Sequence, residues 1–312
     1  MTFNKNLLAL GRSGYLYHGI CHVVNNGYAV KVIVTEEAYE EYDIKHDDFR
    51  KLAEEIGAAF FMVKSLNTPE ILSLISAHQI RAAISANWKY TVQKQVLDLF
   101  DIGILNFHLG NLPDYKGNAT VNWTILQGEP YINGNIHKMD PQLDAGDIIS
   151  RKAIPIGPEM YIADVLAQAE QDAPGLYLEA LNSLLADRTY VTEKGSVEGL
   201  RCYPRLPEDS QINWHSPVAD IHRLIRASSH PYKGAFTYFR GEKAIIWKAK
   251  LVPAGERYLA IPGHIVKVNT QEQTITVATG EGLLTVEEME IGGEVNRPTH
   301  WCRSIRERFK NS

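Results

Sequence analysis

The chain has 312 residues, 45% hydrophobic and 22% charged, with a formal net charge of −5 and a pI near 6.1. That length suits one large domain plus a smaller one, and the composition is that of an ordinary soluble globular protein. The acidity weighs against a polyanionic partner, because nucleic-acid binding asks for a basic face, and no apolar run is long enough for a transmembrane helix.

The opening, MTFNKNLLALGRSGYLYHG, has too short an apolar run for a secretory leader and reads as a first strand over 6–11. A helix over 15–27 follows, stopped by Gly27, then a strand over 29–35. Residues 48–57 read as a helix ending in Gly57, 58–63 as a strand, and 68–78 as a helix capped by Thr68 with Pro69 at its first position. A strand over 81–86, a helix over 92–100 and a strand over 103–108 complete a run of β-α units. Such a run predicts a Rossmann-like, mostly parallel sheet covered by helices on both faces. Further on, 118–128 is a helix, 133–140 and 147–156 are paired strands, and 161–186 is a long helix that Pro174 and Gly175 are placed to kink.

Residues 193–210 are rich in Gly, Pro and Ser and read as a linker. That divides the chain into domains at 1–192 and 211–312. The second begins with a helix that Ser216 caps and Pro217 starts, to about Ala227. The short strands GAFTYFR, KAIIWKAK, HIVKV, TITVATG and LLTVEEM follow and predict a small β-barrel or β-sandwich with one helix, the OB-like barrel being preferred. Three widely spaced cysteines, Cys21, Cys202 and Cys302, argue against a disulfide framework and for a reducing cytoplasm.

The stretch LNFHLGNLPDYKGN, residues 105–118, carries the chemistry. In a parallel sheet, ligands bind at the carboxyl ends of the strands, and Asn106 and His108 sit at such an end. Two apart on a strand, they point to one face. An Asn amide can donate to a developing oxyanion, and a His can take a proton near neutral pH or stabilise that oxyanion as imidazolium. The loop DPQLDAGDII, 140–149, brings Asp144 as a candidate to orient His108. The plainer alternative is an Asn-His pair that only caps turns. Elsewhere, His18 and His22 are four apart on a helix but have no evident third ligand, so a structural role is the better reading. GRSG, 11–14, could cradle a phosphate at a helix start or simply turn the chain. Trp88 and Tyr90 could stack on a flat ring or fill core. Trp123 reads as packing and His137 and Met139 as supporting the cleft, while Asp147 could cap its own loop as easily as act in catalysis.

NFHLGNLPDYKGN…NW together with IHKMDPQLDAGDII resembles the catalytic domain of formyltransferases that use N10-formyltetrahydrofolate. The family pattern is Asn-x-His, a Leu-Pro-x-Tyr/Trp-Arg-Gly loop, then His-x-Met and Asp-x-Gly-Asp. The stretch RLPEDSQINW…IHRLIRASSHPYKGAFTY resembles the start of the second domain of methionyl-tRNA and UDP-amino-sugar formyltransferases. The resemblance implies Asn106, His108 and Asp144 as the catalytic trio. It implies a folate site along Asn87, Trp88, Lys89, Tyr90 and Thr91, closed by the loop holding Asp140 and Leu143. No metal is implied. Lys116 replaces the usual Arg, and Gly110-Asn111 also departs from the pattern, which leaves the chemistry intact and bears on the acceptor.

GNLPDYKGNATVNW looks like the branch that formylates a nucleotide-linked deoxyamino sugar for surface-glycan synthesis, including lipopolysaccharide, and the acidic charge points the same way. Candidate contacts to that substrate are Gly11, Arg12, Ser13, Lys116, Gly117 and Asn118. On this reading neither nucleic acid nor a membrane is a partner, a homodimer stays open, and nucleotide binding does not need the small second domain. The alternatives are a methionyl-tRNA formyltransferase and a catalytically silent folate- or nucleotide-binding protein.

Overall fold

A computed structural model describes residues 4–40, 42–253, 255 and 257–310. The chain forms two compact units: one of Met1–Thr120, Tyr131–Pro155 and Leu166–Cys202, the other of Val121–Pro130, Ile156–Val165 and Tyr203–Ser312.

The first unit alternates β1 (Asn6–Gly11), α1 (Gly14–Asn25), β2 (Ala29–Thr35), α2 (His46–Ile56), β3 (Ala59–Met62), α3 (Pro69–Ala77), β4 (Ala82–Ala86), α4 (Lys94–Leu97) and β5 (Gly103–Leu109). The strands are short and apolar, and β1, β2, β4 and β5 are mostly buried, as a covered parallel sheet requires, while the edge strand β3 is only partly so. Punctuation falls where the residues demand it. Thr68 Oγ1 accepts from the Ile71 N–H at the start of α3, and Gly57 takes a left-handed conformation, φ 68°, after α2. The helix expected over 92–100 is shorter. Leu99 and Phe100 turn off with three-residue backbone hydrogen bonds to Val96 and Leu97, which swings Phe100 into the core.

A two-residue strand, β6 (Lys116–Gly117), helix α5 (Thr120–Gln127), then β7 (Tyr131–Lys138) and β8 (Ile148–Pro155) follow. The sheet order is β3-β2-β1-β4-β5-β7-β8, parallel through β5, with β7 and β8 antiparallel. One row of register places Leu10, Ser85, Asn106 and His137 side by side across four strands. Helix α6 (Ile162–Ala186) runs through Pro174 as one helix. The strand β9 (Arg201–Cys202) then pairs with β6. The segment expected as a linker over 193–210 is therefore built into the first unit as far as Cys202.

In the second unit α7 (Val218–Ser228) starts after Pro217. Ser216 makes no side-chain cap there, and the Val218 N–H finds Glu281 O instead. Strands β10 (Ala235–Phe239), β11 (Glu242–Leu251), β12 (Ile265–Asn269), β13 (Thr274–Ala278) and β14 (Leu283–Ile291) match the five expected. Two short strands join them, β15 (Glu294–Asn296) and β16 (Phe309–Lys310), too brief to leave a period in the sequence. The antiparallel sheet curls until Phe309 N–H donates to Gly263 O and Ile265 N–H to Glu307 O, giving the barrel-like form expected. Its core gathers Trp214, Ile221, Ile225, Phe239, Val286 and Phe309. Among the described residues no helix is long and apolar enough to cross a membrane.

Candidate active site

The site is assembled at the carboxyl end of β5. His108 is buried, and its Nε2–H donates to the Tyr115 carbonyl at 2.8 Å. A carbonyl only accepts, so that nitrogen carries a proton and Nδ1 is the nitrogen left for chemistry. Nδ1 lies 3.6 Å from Asp144 Oδ2. Behind His108, the buried Asn135 amide donates to the carbonyls of His108, Gly110 and Asn133, and Arg151 Nε donates to Asn135 Oδ1 at 2.7 Å. The backbone carrying the histidine is thus held from the far side.

Asp144 has a left-handed backbone, φ 49°. Its Oδ2 accepts the Gly117 N–H at 2.9 Å, and its Oδ1 lies 3.5 Å from His137 Nε2. Burial alone would push this carboxyl up. The His108 and His137 imidazoles and the Gly117 N–H override it and hold the group well below the usual carboxylate range. Asn106 Nδ2 stands 3.1 Å from His137 Nε2. The arrangement offers an amide N–H donor, an imidazole with one nitrogen facing a carboxylate, and a carboxylate that stays ionised at neutral pH. It can stabilise negative charge on a carbonyl oxygen and move a proton.

Asn106, His108 and Asp144 are therefore brought together as the sequence suggests. The loop Asn87–Thr91 follows β4, the neighbouring strand, with Asn87 at φ 52° and its Nδ2 donating to Ser13 Oγ at 3.1 Å. Leu143 exposes 49% of its surface and lies over Gly117, while Asp140 Oδ1 accepts the Gln142 N–H. Trp88 is partly buried and packs against the core that holds Leu8, Val34 and Ile104, with Tyr90 against its edge.

Two of the expected phosphate contacts lie inside the protein. Lys116 is 2% exposed, and its ammonium donates to the carbonyls of Ser196 and Glu198, tying two loops together. Arg12 is 3% exposed. Its guanidinium pairs with Glu36, donates to Glu37 O and lies 3.8 Å under the Tyr39 ring. Both cations thus have partners within the protein, although the buried Nε of Arg12 has no hydrogen-bond partner among the described residues. Gly11, at φ 124°, is a steric necessity, since a Cβ there would come within 1.9 Å of Ala86 O. Asn118 is exposed, with its N–H on Cys202 O. Among the described residues no group of three or more His, Cys, Asp or Glu could hold a metal ion.

A residue of this cluster that sequence reasoning undervalued is His137. Its signal is strand register: only the β5–β7 pairing shows that His137 faces Asn106.

Similar folds occur in solved structures. HypX from Aquifex aeolicus, in complex with tetrahydrofolic acid, superposes with a TM-score of 0.60 at 16% identity, over 94% of this chain and 46% of that one. The chain thus spans about half the length of HypX. An N-formyltransferase from Helicobacter canadensis, complexed with folinic acid and dTDP-3-aminofucose, gives 0.65 at 16% identity, over 90% and 97%. A methionyl-tRNA formyltransferase from Clostridium thermocellum gives 0.52 at 18% identity, over 80% and 95%. At these identities the likeness is one of fold. The family itself is given by two matches in order along the chain, a formyl transferase domain over residues 17–181 and a formyl transferase C-terminal domain over 206–306. The chain belongs to the formyl transferase family.

Proposed function

We propose that the protein transfers a formyl group from N10-formyltetrahydrofolate to the free amine of a nucleotide-linked deoxyamino sugar. The observation that carries the chemistry is the Asp144 carboxylate set between His108 Nδ1 and His137 Nε2, beside the Asn106 amide. The half-exposed Leu143 over Gly117 and the irregular loop Asn87–Thr91 fit a flat, partly apolar heterocycle. On this reading the backbone of Asn87–Thr91, with Asp140 and Leu143, would hold the folate. When bound, the folate supplies an activated formyl carbonyl.

The protein's own groups do the rest. Asn106 presents an N–H to the formyl oxygen as negative charge grows on it. His108 adds positive charge there when Nδ1 is protonated, with its Nε2–H fixed on Tyr115 O. Asp144, ionised and anchored by Gly117, faces Nδ1 of that imidazole and would relay the proton leaving the attacking amine to the folate nitrogen that departs as the formyl C–N bond breaks. The dTDP-3-aminofucose on the Helicobacter enzyme and the net charge of −5 support the sugar acceptor over tRNA. Cys21, Cys202 and Cys302, all free, suit a cytoplasmic setting, where precursors of surface glycans are built.

Asn106→Ala and His108→Ala are each expected to lower turnover by about a hundredfold or more, with folate binding little changed. The acceptor is settled by offering uridine- and thymidine-linked amino sugars and charged initiator tRNA with formyltetrahydrofolate and weighing the products. Formylation of the tRNA alone would sink the sugar reading and leave the assignment of Asn106, His108 and Asp144 standing.

A further inference from the structure

We infer that His137 is a positioning residue that decides which end of the Asn106 amide faces the formyl oxygen. The inference rests on the formyl-transfer reading, but its core is a hydrogen-bond argument about two side chains.

An Asn amide can point either its NH2 or its oxygen at a substrate, and only the NH2 stabilises an oxyanion. Something must therefore break the symmetry. His137 is 2% exposed, and its Nδ1 lies 3.0 Å from the Lys138 carbonyl. The carbonyl can only accept, so Nδ1 carries the proton, and in the neutral ring Nε2 is left with a lone pair. That lone pair lies 3.1 Å from Asn106 Nδ2. One amide hydrogen is thereby held by His137, the second is free for the cleft, and the amide oxygen is turned away.

The groups facing His137 oppose or permit this state in ways that can be named. Asp144 Oδ1, from the loop after β7, is 3.5 Å from the same Nε2 and favours a proton there; with that nitrogen bare, the His108 imidazole and the Gly117 N–H alone hold the carboxylate down. The His108 ring, on β5, stands edge-on at 6.2 Å between centroids and adds like charge when it is protonated. If Nε2 were protonated, two donors would meet, and the amide would rotate to offer its oxygen to His137. The acceptor would then point at the oxyanion, where it is repulsive.

Two experiments test this. In the wild-type protein at neutral pH, nitrogen chemical shifts of the His137 ring report its tautomer directly. Nδ1 protonated with Nε2 bare is the expected state, and a proton on Nε2, in either the other tautomer or the imidazolium, overturns the inference. That measurement needs no acceptor, so it stands even if the sugar reading fails. The second is a double-mutant cycle with the formylated acceptor. His137→Ala is expected to lower kcat about tenfold with KM for the amine little changed, as loss of one oriented hydrogen bond implies. In an Asn106→Ala background the same change should cost less than about twofold, because there is no amide left to orient. His137→Gln, whose Oε1 can accept the same hydrogen, should recover part of kcat. Equal losses in both backgrounds, or a folded Gln variant no better than Ala, would show that His137 acts by other means. Thermal melts establish that each variant is folded, and if His137→Ala is not, the wild-type spectrum and the Gln variant decide.

Discussion

Asp144 shows how one residue couples catalysis to stability. Its carboxyl is held below the ordinary range, chiefly by the His108 imidazole with help from a backbone N–H, despite the burial that pushes the other way. A carboxyl whose folded pKa is depressed contributes stability that is present above its unfolded pKa, about 3.9. That stability is lost as pH falls through the folded value. The wild-type melting temperature should therefore decline with a steeper slope below about pH 4 than that of Asp144→Asn, which has no proton to gain at that position. Parallel slopes for the two proteins in acid would remove this coupling. The pair Asn106 and His108 was legible in sequence because a strand that ends in two polar side chains on one face is unusual in a buried sheet. The fates of Arg12 and Lys116 were not. A cation in a glycine loop reads as a phosphate ligand until its burial is known, and burial depends on residues far away, Glu36 and Tyr39 for one, Ser196 and Glu198 for the other.

Elements explain why the loop carrying Asp144 has its sequence. After β7 the chain turns tightly back, and Gly146 lies against the Lys138 backbone, where a Cβ would sit 1.8 Å from the Lys138 oxygen. That same oxygen accepts the His137 Nδ1–H. The glycine in the Asp-x-Gly-Asp pattern is thus explained by close approach of two backbones, with Asp144 and His137 on either side of the contact. Gly146→Ala must displace one of them. We expect a loss of about 1–3 kcal/mol in stability, as for other forced overpacking, and a fall in kcat larger than that of a surface Gly→Ala control such as Gly175→Ala, on the exposed side of α6, whose added Cβ would meet nothing within 4 Å. Wild-type turnover from a stably folded Gly146→Ala protein would show that the loop has slack. The β-α alternation through β5 was legible because each strand is a short apolar run closed by turn residues. The strands β6, β9, β15 and β16, of two or three residues, were not, since such lengths carry no period and exist only through their partners.

On the scale of the whole molecule, the two units do not follow the chain as two successive halves. Val121–Pro130 and Ile156–Val165 come from the middle of the sequence, yet they fold with Tyr203–Ser312. The Asn122 amide donates to the Ala227 carbonyl at 2.8 Å, and Arg226 Nη1 donates to Met160 O at 2.8 Å. Tyr161 packs on the C-terminal core and exchanges hydrogen bonds with the backbone of Ala249. A polar group buried without its partner costs about 1–3 kcal/mol, and an apolar segment stripped of its core is left facing water. Sequence composition alone invites cutting the chain near its Gly- and Pro-rich stretch and expecting the first part to bind ligands by itself. The connectivity argues the opposite. A chain ending at Cys202 keeps Asn106, His108, Asp144 and His137 but leaves both middle segments without the unit they belong to. It should melt at least 10 °C below the full-length protein, a shift of the size a loss of a few kcal/mol produces in a chain of about 200 residues. It should also bind a hydrophobic dye that the intact chain does not. Supplying residues 203–312 as a separate polypeptide should restore part of the loss, because what is missing is a set of partners and not a covalent link. A 1–202 fragment that melts as one sharp transition near the full-length midpoint would show instead that the catalytic unit stands alone.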